Sequence, residues 1–135
     1  MRPVDVVMYA FYAVLLALAV PVALGDVVRW VPLLLSVPCA VLWYAARAQL
    51  GTSFSVRPAA RGLVTTGLYA HTRHPIYVYG TAAFLLVLLA LQGWAALVIG
   101  AVLIPLQVVR ARREERVLAN AFGAEYDDYR RATRR

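Results

Sequence analysis

The chain has no lysine, one cysteine and two histidines, and each scarcity removes a class of function. A lone Cys39 inside an apolar run cannot close an intrachain disulfide and supplies no zinc ligand set, which leaves it as a small packing residue. The histidines, His71 and His74, stand together in the stretch HTRHPIYVYG at the edge of an apolar run. No span therefore carries the histidine pair of a haem site, and Pro75 argues that the first histidine precedes the helix instead of sharing a metal-binding face with the second. No metal is expected. Charge is sparse too: 16% of the 135 residues are charged against 62% hydrophobic, with a mean hydropathy of +0.67. That is more apolar surface than a soluble domain of this size can hide from water, so the expected solvent is a bilayer.

What charge there is comes to +7, all of the cations being arginine. The arginines cluster beside apolar runs, which is a topology signal and not a nucleic-acid patch. Four segments approach the ~20 residues needed to cross ~30 Å of hydrocarbon: residues 4–24, 28–46, 76–92 and 94–109. The first is too long for a cleavable leader and is expected to stay in the mature chain. With four crossings, Arg2, the loop 47–75 carrying Arg47, Arg57, Arg61 and Arg73, and the tail 110–135 share one face. The opposite connections hold only Asp26 and Arg29 in one and Gly93 in the other. Positive-inside bias then puts both termini and the loop in the cytoplasm. The fold class is all-α: one integral-membrane domain of four transmembrane helices with a cytoplasmic C-terminal helical tail. The Ala, Val and Arg bias without Lys points to a GC-rich coding sequence, hence a bacterial cytoplasmic membrane.

Prolines 21, 32, 38 and 105 fall in or near the ends of the apolar runs, where each can remove a backbone hydrogen bond. The loop is long for so short a chain, which favours a functional loop. Beyond Val109, Leu118, Phe122, Tyr126 and Tyr129 recur at helical spacing, predicting an amphipathic continuation broken near Gly123, with one face packed back on the loop or the membrane surface.

Pro75 suits the first turn of a helix, so His74 is expected at its cap and Tyr77 within its first turn. The dipole and free amides at that end favour an anion. The third and fourth spans are joined by about one residue and rise equally, at ~1.5 Å per residue, which returns Arg110 and Glu114 to the level of His74 and Tyr77. Arg110 and Glu114, four apart, face one way, and Glu115 is turned by ~100°. A cation site and an anion site at one rim suit a zwitterion such as the methionine moiety of S-adenosylmethionine.

Four motifs in order carry a resemblance: Leu63-Val64-Thr65-Thr66-Gly67-Leu68-Tyr69, then Arg73-His74-Pro75-Ile76-Tyr77, then Glu114-Glu115, then Phe122-Gly123-Ala124-Glu125-Tyr126 with Tyr129. The chain from Leu50 onward resembles the isoprenylcysteine carboxyl methyltransferase family with its phospholipid methyltransferase relatives. It departs from the G-P-Y-R version of the loop motif at Leu68 and Ala70, has Arg61 and Gly62 where a histidine is often found, and places Gly80 late, behind Tyr79. The resemblance implies an integral-membrane enzyme using S-adenosyl-L-methionine on a lipophilic acceptor that arrives through the bilayer. It implies cofactor contacts from Leu63, Val64, Tyr69, His74, Pro75, Ile76, Tyr77 and Glu114, with Arg73 and Glu115 as further candidates, and Arg110 meeting an acceptor carboxylate.

Bland readings stand beside these. Glu114 and Glu115 could be acids on a solvated helix, in pairs worth ~0.2–0.5 kcal/mol each. Arg110 could be a snorkelling anchor, and the tyrosines an interfacial belt. The function expected is methyl transfer to a lipid-like acceptor, a carboxylate first and a phospholipid or other lipid amine second. A non-catalytic four-helix subunit and a small transporter are the alternatives from other classes. All seven acids lie outside the spans or at their ends, which counts against a transporter.

Overall fold

Runs nearly free of charge can satisfy their backbone polar groups in lipid only as helices or closed barrels, and here they form helices. The computed structural model describes residues 3–51 and 63–133; Arg2, Arg57, Arg61 and Gly62, invoked above, lie outside the described residues. The elements are α1 (Pro3–Leu24), α2 (Trp30–Leu50), α3 (Pro75–Gln92), α4 (Ala95–Phe122) and α5 (Ala124–Ala132), with single 3₁₀ turns at Val27–Arg29 and Gly67–Ala70. No strand occurs among the described residues. The first four helices are long and apolar enough to cross a membrane, and the chain is a multi-pass membrane protein.

The boundaries differ from the sequence reading in one informative place. Where the hydropathy of the second run ends at Ala46, α2 continues to Leu50, so Arg47, read as a loop charge, lies on the last turn of a helix. At the other end of the chain α4 does not stop where its apolar run stops. It continues to Phe122, as the spacing of Leu118 and Phe122 predicts, and ends at Gly123, whose φ of 53° breaks the helix where expected.

α3 is the hub, packed against α2, α4 and α1. At the far end of the bundle Ala19, Ala23, Leu33, Val87 and Ala90 form a buried cluster, whose three alanines let helices approach closely where lipid gives no hydrophobic driving force. Arg29 closes that end, donating from Nη1 to the carbonyls of Ala90 (2.8 Å) and Leu91 (3.1 Å). These belong to the last turn of α3, where a cation also opposes the helix dipole. Elsewhere large apolar residues are exposed, including Leu34, Leu97 and Val102, as lipid-facing positions require.

The opposite end is charged and is held by an ion pair that the sequence does not announce. Arg47 of α2 is 5% exposed and pairs with Asp5 in the first turn of α1. Each charge sits at the helix end its sign favours, so the pair joins two antiparallel termini. Removing one partner of a buried pair leaves the other uncompensated, typically at a cost of ~3–5 kcal/mol. Arg47→Ala is therefore expected to lower the midpoint of thermal unfolding in detergent markedly, and an unchanged midpoint would show that the pair carries no stability.

Candidate functional site

The site begins with the local chemistry of Pro75. A proline at the first helical position gives up no hydrogen bond, and α3 starts there with His74 as its N-cap, at φ −131° and ψ 53° with no side-chain capping bond. The first bond of the turn runs from Val78 N to His74 O at 3.1 Å, so the amides of Ile76 and Tyr77 precede it and point out of the helix end.

The loop that reaches this end is anchored from two directions. Gly67 has φ +63°, and a Cβ there would meet Gln49 Oε1 at 2.6 Å. That same oxygen accepts from Leu68 N at 2.8 Å, so a side chain at this positive φ would displace Gln49 from its bond to the loop, which favours glycine. From the tail, Tyr129 of α5 donates its hydroxyl to Tyr69 O at 2.8 Å. Tyr126, 2% exposed, lies beside it with ring centroids 6.1 Å apart. The predicted apolar face of the tail thus packs on the loop and fixes Tyr69.

α4 delivers the remaining groups. The guanidinium of Arg110 lies over the Tyr77 ring, 5.4 Å from its centroid, and Tyr77 and Glu114 line one small crevice. Glu115, turned away from Glu114, accepts at one oxygen from Arg73 Nη1 at 2.7 Å and contacts His74 Nε2 at 3.0 Å. The two consecutive acids therefore face different surroundings. Glu114 lines a small crevice with Leu50, Tyr69, Arg73, His74, Ile76 and Tyr77. Glu115 lines the polar end of a groove of about 640 Å³ between α3 and α4. A second groove, about 440 Å³, runs over α3 on the side of α1, with Met8, Phe11, Leu15, Trp43 and Phe84 in its wall and Arg110 at its charged end.

Of the residues singled out from the sequence, Tyr69, His74, Ile76, Tyr77 and Glu114 come together in the crevice, with Arg73 at its edge. Pro75 is buried beneath them. Arg110 reaches them through Tyr77 but lines the second groove, not the crevice. Leu63 and Val64 are half-buried on the irregular stretch before the 3₁₀ turn and are not among the residues lining the crevice. His71 turns away, its Nδ1 3.3 Å from Gly67 O. Leu50, Gln49 and the groove residues Thr81 and Gln107 were not singled out; for Gln49 and Gly67 the available signal was the glycine two residues before Tyr69.

A model of the phospholipid methyltransferase family matches residues 27–125, nearly three-quarters of the chain, and the chain belongs to that family. Membership implies methyl transfer to a lipid-type substrate. No curated protein and no solved structure matches the chain.

The phenols outside the spans make the anchoring testable. Burial, then the Glu114 charge, raises the Tyr69 pKa; burial, then Tyr126, pushes Tyr129 up to about 12. Below the unfolded value of 10 both states are protonated and the contribution is complete. Above it the unfolded chain releases a proton that the folded chain keeps. Stability should therefore be flat up to about pH 10 and fall between about pH 10 and 12, with a shallower fall in Tyr129→Phe, as read from unfolding midpoints across pH. An equal slope in both proteins would remove Tyr129 from the anchor.

Proposed function

We propose that the chain transfers a methyl group from S-adenosyl-L-methionine to a lipophilic acceptor at a carboxylate. The observation that carries this reading is the placement of Arg110 at the charged end of an apolar groove, sharing Tyr77 with the Glu114 crevice. A fixed guanidinium over an apolar channel suits an acid on a hydrocarbon chain.

The crevice fits one end of the cofactor. Glu114 offers a carboxylate for its ammonium, and the amides at the start of α3 face where its carboxylate would lie. At about 20 Å³ the crevice has room for a group the size of a water or an ammonium, so the rest of the amino-acid end would lie at its mouth along the start of α3, with the nucleoside to the side of Leu63, Val64 and Tyr69. His74, Pro75 and Ile76 shape its floor, and Arg73 is held by Glu115 at its edge. When bound, S-adenosylmethionine supplies an electrophilic methyl group on a sulfonium.

The protein's own contribution is placement. Glu114 and the α3 terminus hold the donor while Arg110 holds the acceptor, and near-attack geometry of this kind is worth ~7–11 kcal/mol in well-oriented systems. The apolar groove walls keep water from the acceptor head. A carboxylate is already ionised near neutral pH and needs no base. A lipid amine is the second reading, favoured by the family's phospholipid description and by the His74–Glu115 contact, a histidine oriented by a carboxylate as an amine-deprotonating base would require. Both readings place the charged end, and with it both termini, at the cytoplasmic face of a bacterial membrane, where a water-soluble donor meets an acceptor arriving through lipid.

Equilibrium binding of S-adenosylmethionine to the detergent-solubilised chain tests the function, and absence of binding would favour a non-catalytic subunit or a transporter. Glu114→Gln should weaken that binding about 10- to 100-fold, the worth of a charge-assisted contact of ~1.5–3 kcal/mol; unchanged affinity would return Glu114 to a surface role. Arg110→Ala should raise the acceptor KM and leave cofactor affinity nearly intact. Selective loss of cofactor binding in that variant would mean that the two roles are reversed.

A further inference from the structure

One helical turn below Arg110, Gln107 Nε2 meets Thr81 Oγ1 at 3.3 Å across the α3–α4 seam, and both residues line both grooves. Around them the walls are hydrocarbon, with Val78, Ala82 and Ile104 on one side and Phe84 and Leu103 on the other. Of the other hydroxyl-bearing residues in the second groove, Tyr12 bonds Ser36 O at 3.2 Å and Ser36 Oγ at 3.1 Å, and Tyr77 lies at the charged end under Arg110.

Gln107 is different. A primary amide carries two donors and an acceptor with two lone pairs, and among the described residues its side chain makes the one bond to Thr81. Turning the amide over only exchanges which end Thr81 takes. In an apolar run, where water does not compete, unspent amide valences are costly, and a polar side chain at such a depth facing a cavity marks a ligand path.

We propose that Gln107 reads the linkage of the acceptor, accepting from or donating to an amide or ester that joins the hydrocarbon chain to the acid head. The inference rests on Arg110 holding that head. Arg110 and Gln107 are separated by ~4.5 Å along α4, so the linkage they favour lies about three bonds from the carboxylate. The acceptor class is then an acylated amino acid or hydroxy acid, not a simple fatty acid, and Gln107 is a specificity-determining residue of the second groove.

A matched pair of lipids separates these classes: N-tetradecanoylglycine and heptadecanoic acid have the same chain length and differ in the amide. Their equilibrium binding to the full detergent-solubilised chain should favour the acylglycine about fivefold or more, as one neutral hydrogen bond provides. Gln107→Leu should erase that preference without weakening heptadecanoic acid, and Thr81→Val, which keeps the amide, should retain it. No preference in the wild type, a preference that survives Gln107→Leu, or equal loss of both lipids in both variants would overturn the proposal, the last by showing that the pair merely holds the helices together. Methyl transfer is followed in parallel. A preference seen in binding with neither acid methylated would sink the carboxylate reading and leave the linkage reading standing.

Discussion

The antiparallel return of α4 along α3, through the turn at Gly93, is the constraint on which the rest of the molecule depends. Tyr77 lies about as far before Gly93 as Arg110 lies after it, and since both helices rise at the same rate the two residues must meet. Their contact sets the height of every other group at the charged end. Because α4 does not stop at the edge of its apolar run but continues as one uninterrupted helix past Pro105, Glu114 and Glu115 are carried over the start of α3. α5 then turns back at Gly123 to reach the loop. A break in α4 near Val109 would leave the same residues in the sequence and no site.

Two neighbouring acids do two different things because a helix turns ~100° per residue. Glu114 looks toward the loop and its tyrosines. Glu115 is held by Arg73 and His74, which steadies the last residues before the helix that begins at Pro75. The charge of one acid is thus largely answered by protein groups, while the other borders the crevice at the exposed amides of α3. Electrostatics and backbone geometry coincide at this place, a rim whose two ends are complementary to those of a dipole.

Much of this is legible in the sequence, for physical reasons that differ by residue. The spans can be read because lipid forbids uncompensated charge, and the start of α3 because Pro75 marks it. The tail is visible in the spacing of Leu118, Phe122, Tyr126 and Tyr129. What cannot be read is anything that depends on rotation about a helix axis or on partners distant in sequence. Arg47 and Asp5 meet because α2 outlasts its hydropathy, and Gln107 meets Thr81 because both happen to face the seam. Gln49 finds Leu68 only once Gly67 adopts its positive φ. Leu63 and Val64 show the converse: a motif match names them, while the fold leaves them beside the crevice and not in its wall.

The packing also tapers. Alanines close the far end of the bundle tightly, whereas the second groove extends along α3 from Ile76 to Phe84, ~12 Å of a helix ~27 Å long. With the acceptor in the second groove as proposed, a cavity confined to the half of α3 nearer the charged end would open sideways to one monolayer alone. Lipids resident in the other would have to flip across before they could be loaded, so under that reading the available pool would be set by the transverse asymmetry of the membrane.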